Sequence, residues 1–331
     1  MTALTVVMPT YERAELIGEA LGSALAQTYG DIVVLIGDNS ESDATEEVVA
    51  AVDDPRVHYH RNRPGLGSLG NWLDLLDRVE TPLVATLHDD DRWHPDFLAT
   101  TVPPMLADET IAMAFTDFWQ IDQHGNRLVE YTEAETARTH RDVLPAGRLD
   151  YDLAEGLRLV AVWNAPQPAY AAVLRRDALA ACDYSDGVEL YDIWTSYQLI
   201  KRGAGLYYVP ERLTEYRVHP GAATSQGFAE MEDRVFRHIL DDSADAGPVL
   251  DEIARYWAGL RWARATRLMG SGAEGRVASQ RELLAAAPRL GGPKRLVATA
   301  AGRSSLVWDG MRMAHSARHR TPKVGDVRYA T

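Results

Sequence analysis

Residues 83–95 read Leu-Val-Ala-Thr-Leu-His-Asp-Asp-Asp-Arg-Trp-His-Pro: an apolar run that ends in three consecutive carboxylates, Asp89, Asp90 and Asp91. Carboxylates at the C-terminal end of a parallel strand lie where open α/β sheets bind their ligands. Packed so closely they repel one another unless a cation or a set of donors holds them. Oxygen ligands combined with substrate phosphates suit Mg²⁺ and Mn²⁺, so the segment predicts a divalent-metal and diphosphate site. A plainer reading starts a helix at Pro95 and Asp96, ahead of Phe97, Leu98, Val102, Met105 and Leu106, with acids favoured by the helix dipole. One Asp would meet that need, and three exceed it.

Two other polar clusters follow apolar runs. Thr10-Tyr11-Glu12-Arg13 comes after Leu4–Met8, and Asp38-Asn39-Ser40 comes after Ile32–Ile36. If these runs are parallel strands, all three clusters project from one sheet edge, an arrangement suited to a base, a ribose and a metal. Asp38 by itself serves equally well as a turn residue or a helix cap.

The elements that must position these groups alternate. Strands are predicted at Leu4–Met8, Ile32–Ile36, Val57–His60, Leu83–Leu87 and Ile111–Phe115. Helices are predicted at Ala14–Gln27, from the Ser42-Asp43 cap to Val52, at Asn71–Val79 and at Asp96–Leu106. Such βα alternation implies an α/β, doubly wound, mostly parallel sheet flanked by helices. Beyond residue 116 the pattern predicts a hairpin at Gln120–Arg127, helices at Asp150–Val162 and Asp192–Arg202, and strands at Ala169–Leu174, Leu206–Val209 and Leu213–Tyr216. From Phe228 the chain is helix-forming. The expected organisation is a ligand-binding and catalytic domain over 1–227, with a donor half of about 1–115 and an acceptor half of about 116–227, and a C-terminal helical region over 228–331.

The net charge of −14 argues against a nucleic-acid partner, which needs a basic footprint. That charge is uneven: Pro288–Thr331 holds nine Lys/Arg against Asp309 and Asp326, a net +7 that leaves −21 on the remainder. The basic segment carries Leu296, Val297, Leu306, Val307, Trp308 and Met311, a composition compatible with peripheral contact to an anionic membrane and with a homodimer through the C-terminal helices. Cys182 is the only cysteine, the N-terminus has no basic leader, and no apolar run has membrane-spanning length. A cytoplasmic protein, peripheral at most to the inner membrane face, is the expectation.

Gly65-Leu66-Gly67-Ser68-Leu69-Gly70 matches the glycine pattern of dinucleotide sites, with Asp89 in the place of the ribose acid. That pattern belongs on the first βα turn, which here is Met8–Arg13 and holds no glycine. An NAD-dependent oxidoreductase is therefore a weak alternative.

Taken in order, Val7–Arg13, Ile36–Ser40, the helix at Asn71 and Leu87–Pro95 resemble family 2 glycosyltransferases of the GT-A fold, non-processive bacterial type, over residues 1–225. The resemblance implies a metal-dependent inverting transfer from a UDP- or dTDP-sugar donor to a hydroxyl acceptor on a glycan, lipid-linked sugar or natural product. It assigns Pro9, Tyr11 and Glu12 to the nucleobase pocket, Asp38 to the base, Asp89 to the ribose and Asp90 to Mn²⁺ or Mg²⁺, with Asp91 and His219 as further metal candidates. Arg13 and Asn71 fall among the donor-binding residues, and Arg217 and His219 on the phosphate side. His88 stands where many members have an acid, which leaves the division of roles among Asp89, Asp90 and Asp91 open. Within Glu189-Leu190-Tyr191-Asp192, Tyr191 replaces the family's Glu, and Asp192 is the candidate base. Asp192 also suits a helix cap, and a lone His219 also suits a structural role. A non-catalytic sugar-nucleotide-binding protein would keep the strand ends and lose the base. Trp163-Asn164-Ala165-Pro166-Gln167-Pro168 reads as a packed loop more than a pocket wall. Gly259-Leu260-Arg261-Trp262 supplies only Arg-Trp of the Gln-x-x-Arg-Trp signature of processive members, so a processive synthase is not expected.

Overall fold

The computed structural model describes residues 2–63, 65–185, 190–219, 229–243, 245–272 and 274–318. Glu189, the Pro220-Gly221 turn and the basic residues from Arg320 onward lie outside them. The chain divides into two compact units, Met1–Ala223 and Thr224–Thr331.

In the first unit, β1 (Leu4–Thr10), β2 (Ile32–Asp38), β3 (Val57–Arg61) and β4 (Leu83–Thr86) are parallel. They are joined by α1 (Ala14–Leu25), α2 (Ala44–Ala50) and α3 (Gly67–Asp77). β1 forms because nearly every residue is buried between layers, and α1 turns Ile17, Ala20, Leu21 and Ala24 onto it. After β5 (Arg92–Trp93) and α4 (Phe97–Ala107) come β6 (Ile111–Ile121), α5 (Val129–Arg138), β7 (Gly147–Leu149) and α6 (Leu153–Ala161). The unit closes with β8 (Ala172–Arg175), α7 (Arg176–Ala180), α8 (Tyr191–Lys201) and β9 (Gly205–Arg217).

Among the described residues nine strands make one sheet, ordered β3-β2-β1-β4-β8-β6-β9-β5, with β7 on β9. β8 is antiparallel to both β4 and β6, while β9 is parallel to β6. The expected mostly parallel α/β sheet is therefore present, with a reversed strand between β4 and β6.

Several boundaries differ from expectation for physical reasons. α3 starts at Gly67 instead of Asn71, so the glycine cluster forms its entry: Gly65 and Gly67 adopt φ of 96° and 67°. It follows β3, the sheet's edge strand, not the central strand a dinucleotide fingerprint requires. The two strands expected at 206–216 are one, β9, with register shifts opposite Thr116–Phe118 that interrupt its alternation. α6 begins later than Asp150 because Asp152 and Glu155 form a reciprocal capping box. α5 is absent from the sequence expectation: its buried residues are Thr132 and Thr136, which carry no apolar period.

The strand ends are held by Asn71. Its Nδ2 donates to the Gly37 carbonyl (2.8 Å) and its Oδ1 accepts from Asn62 Nδ2 (2.7 Å). A Cβ at Gly37 would lie 2.3 Å from Asn71 Oδ1 and 3.0 Å from Leu75 Cγ. Gly37→Ala is expected to lower stability by about 1–3 kcal/mol through overpacking. Urea unfolding should show a lower midpoint with an unaltered slope, and an unchanged midpoint would refute the role.

The second unit comprises α9 (Ala229–Asp242), α10 (Val249–Gly270), α11 (Arg276–Ala286), a 3₁₀ turn (Ala287–Arg289), α12 (Gly292–Arg303) and α13 (Ser305–Arg318). Ala265, Met269, Leu283, Ala298, Ala301 and Trp308 form its core. Trp308 Nε1 donates to Ser279 Oγ (2.8 Å). The Arg261 of the Arg-Trp pair is engaged by Asp233, and Arg264 reaches Asp233 (3.0 Å) and Glu282 (3.1 Å). Among the described residues no helix is long and apolar enough to cross a membrane.

Candidate functional site

Because β1, β2, β4, β6 and β9 run the same way, their C-terminal ends share one edge. The start of the reversed β8 reaches that edge too. Thr10–Arg13, Asp38–Ser40, His88–Asp91, Arg217–His219 and Asp192 at the head of α8 are therefore grouped.

The three carboxylates have different surroundings. Asp89 accepts from the Tyr11 amide (3.3 Å) and lies 3.9 Å from Arg13 Nε. Burial, then the charge of Asp90, pushes its pKa up to about 7. Asp91 is buried; its Oδ1 accepts from the Arg217 amide (2.8 Å), while Oδ2 is buried without a hydrogen-bond partner. Burial and Asp90 hold Asp91 well above the usual carboxylate range. Asp90 is half-buried, and desolvation raises its pKa, but the His219 hydrogen bond and the charges of His88 and His219 bring it net below the ordinary value. That bond, His219 Nε2 to Asp90 Oδ2, is 3.0 Å.

Two neighbouring carboxylates that resist ionisation, with one orphaned oxygen, are what a missing positive charge leaves behind. His88, Asp90 and Asp91 each bring a ligand atom within 4.8 Å of the others. Their oxygen and imidazole donors fit a hard or borderline divalent ion, with His219 beside Asp90. In the sequence His88 stands out as a departure from the family and not as a ligand; its spacing from Asp91 is the available signal.

The residues assigned to the base are tightly braced. Asp38 is buried and accepts from the Ser40 amide (2.7 Å) and from Tyr59 OH (2.8 Å). Glu12 has φ of 52°, and its carboxylate accepts from the amides of Glu41 (2.8 Å) and Ser42 (3.0 Å). The Ser42 hydroxyl and these amides hold its pKa below the usual value. Pro9 lies within β1 opposite Gly37, and Tyr11 is exposed. Both Asp38 and Glu12 thus tie strand ends together, which leaves the ring of Tyr11 as the free surface.

Arg217, assigned by the resemblance to the phosphate side, is buried. Its Nε donates to the Asp90 carbonyl (2.7 Å) and its Nη2 to Glu19 (2.6 Å). It shapes the acidic segment from behind. Asn71 likewise faces backbone, as described above.

Asp192 lies in the first turn of α8, and its carboxylate accepts from the Ala169 amide, just ahead of β8. Its Oδ1 is buried and without a hydrogen-bond partner, and burial pushes its pKa up to about 7. Tyr191 beside it has its hydroxyl 2.7 Å from His88 Nε2 and stacks on Trp72 at 4.3 Å. Tyr170 and Tyr216 stack at 4.7 Å, and Tyr170 feels the charges of both Arg141 and Asp192. Trp163 packs on His140 (4.5 Å) while Ala165–Pro168 are buried, in keeping with a packed loop.

Residues 5–154 match the profile of Glycosyl transferase family 2. The chain is 34% identical over 155 residues to the succinoglycan biosynthesis protein ExoO of Rhizobium meliloti (strain 1021), covering 43% of this chain and 41% of that protein. It is 30% identical over 153 residues to the GalNAc(5)-diNAcBac-PP-undecaprenol beta-1,3-glucosyltransferase of Campylobacter jejuni, covering 44% of this chain and 48% of that one. The chain thus spans less than half the length of these two relatives. In fold it is similar to S. aureus TarS 1-349, crystallised with UDP-GlcNAc: the TM-score is 0.62 at 12% identity, over 96% of this chain and 92% of that one.

Proposed function

We propose, for a chain whose residues 5–154 match Glycosyl transferase family 2, that it is a glycosyltransferase of that family, that the grouped strand ends bind a nucleotide-diphosphate sugar and that Asp192 drives inverting transfer to an acceptor hydroxyl. The observation that carries this reading is the Tyr191–His88 hydrogen bond of 2.7 Å. It ties the turn bearing a carboxylate with a buried, unpartnered oxygen to the acidic end of β4.

Asp192 has the attributes of a general base. One oxygen is fixed by the Ala169 amide, the other lacks a donor, and a pKa of about 7 is matched to removing a hydroxyl proton near neutrality. The acceptor oxygen attacks the anomeric carbon as its proton passes to Asp192, and the sugar–phosphate bond breaks on the opposite face. A divalent ion held by Asp90 and Asp91, with His88 and His219 as further donors, would supply charge stabilisation for the departing diphosphate. Arg217 and Glu19 keep the acidic segment in shape. A uridine donor is favoured by the UDP-GlcNAc bound to the TarS neighbour, and a lipid-linked glycan acceptor by the undecaprenol-linked substrate in the Campylobacter relative's name.

Thermal shift against a panel of nucleotide sugars, with and without Mn²⁺, tests the donor. A UDP- or dTDP-sugar at 100 times its dissociation constant should stabilise the fold by about 2.7 kcal/mol. The absence of any stabilising nucleotide sugar would sink the proposal.

A further inference from the structure

The outer faces of α12 and α13 combine two properties that rarely occur together by chance. α12 packs inward through Ala298 and Ala301, and α13 through Trp308. At about 100° per residue, Leu296 falls opposite Ala298 and Ala301, while Leu306 and Met313 fall opposite Trp308. These three are 74%, 85% and 61% exposed, among the most open large apolar side chains of the described residues. The same two helices carry Lys294, Arg295, Arg303, Arg312 and Arg318 against a single acid, Asp309, in a chain of net charge −14. Lys294, Arg295 and Arg303 are exposed.

Scattered exposed leucines need no explanation; leucines set among concentrated positive charge do. A second copy of this surface would bring like charges together and be repelled. An anionic bilayer satisfies both properties, because headgroup phosphates attract the cations and the acyl boundary accepts the apolar tips. We infer that α12 and α13 dock this protein on anionic phospholipid, with Leu296, Leu306 and Met313 entering the interface and Lys294, Arg295 and Arg303 meeting headgroups. This rests on the C-terminal unit alone and is independent of the transfer chemistry.

Flotation of the full chain with vesicles tests it. Binding is expected to vesicles rich in phosphatidylglycerol, to be absent with pure phosphatidylcholine, and to weaken as salt rises. The combined Leu296→Ser, Leu306→Ser and Met313→Ser variant changes only exposed positions and should bind at least about tenfold less. Replacing Lys294, Arg295 and Arg303 by Gln should remove the preference for anionic lipid. No flotation with phosphatidylglycerol overturns the inference. So does wild-type binding by the serine variant, which would assign adsorption to the basic residues beyond 318. A dimer in light scattering that the serine variant dissolves would make the occupant a second copy instead.

Discussion

Asp192→Asn is expected to lower turnover by about 100- to 10,000-fold while the nucleotide-sugar dissociation constant stays within about twofold. The amide occupies the carboxylate's volume and can still accept from the Ala169 amide, so donor binding loses nothing; only the proton acceptor is gone. The wild-type pH profile should carry the same signature. A base with a pKa of about 7 must be ionised to act, so kcat/KM should fall tenfold per pH unit below about 7 and level off above it. Near-normal turnover in the variant, or a flat profile from pH 5 to 8, would remove Asp192 from the mechanism.

Linkage adds a second readout that a mere helix cap would not produce. The folded-state pKa of about 7 lies above the ordinary aspartate value of 3.8, so the folded protein holds the proton more tightly than the unfolded chain. The ionised carboxylate is therefore destabilising: its cost is absent below pH about 4, grows between 4 and 7, and is constant above. With a tenfold change in proton affinity equivalent to about 1.4 kcal/mol, Asp192→Asn should be the more stable protein at pH 8, by a few kcal/mol at most. The difference should vanish below pH about 4. A variant both inactive and more stable is what a site selected for chemistry over stability predicts.

Asp90→Ala is expected to bring the nucleotide affinity measured with Mn²⁺ down to the metal-free level, a loss of about a hundredfold or more. Asp90 is the carboxylate of the three that His219 and His88 hold below the ordinary pKa, so it is ionised throughout the working range. Asp89 and Asp91 are pushed the other way by burial and by the charge of Asp90. Calorimetry of nucleotide binding with and without Mn²⁺ gives the comparison, with circular dichroism as the control for folding. Equal affinity in both conditions for the wild type, or an unaltered metal response in the variant, would contradict the assignment.

Much of the candidate site is legible because strand ends announce themselves. Apolar runs that stop at Thr10, Asp38 and Asp89 can be read without coordinates, since burial on both faces of a parallel strand demands continuous hydrophobicity. α5 is not legible, because threonines and hydrogen bonds hold it where an apolar stripe would ordinarily do so. The family resemblance points Arg217 toward phosphate, while its burial against Glu19 and the Asp90 carbonyl joins segments too distant in the chain for any local pattern to disclose. The partnership of His88 with Tyr191 spans 103 residues of sequence and leaves no periodic trace.

Apolar period and chain order suffice for the sheet of the first half, the sharing of one edge by three polar strand ends, and the family resemblance, because each is a local consequence of the residues in order. The character of each group at that edge comes from the folded arrangement. Protonation follows from burial and from neighbours distant in the chain: Asp90 is held ionised by His219, Asp91 is left with an orphaned oxygen, and Asp192 is lifted to about 7 by burial against the pull of the Ala169 amide. Three consecutive aspartates are identical in sequence, and it is desolvation and partner geometry that make them three different groups.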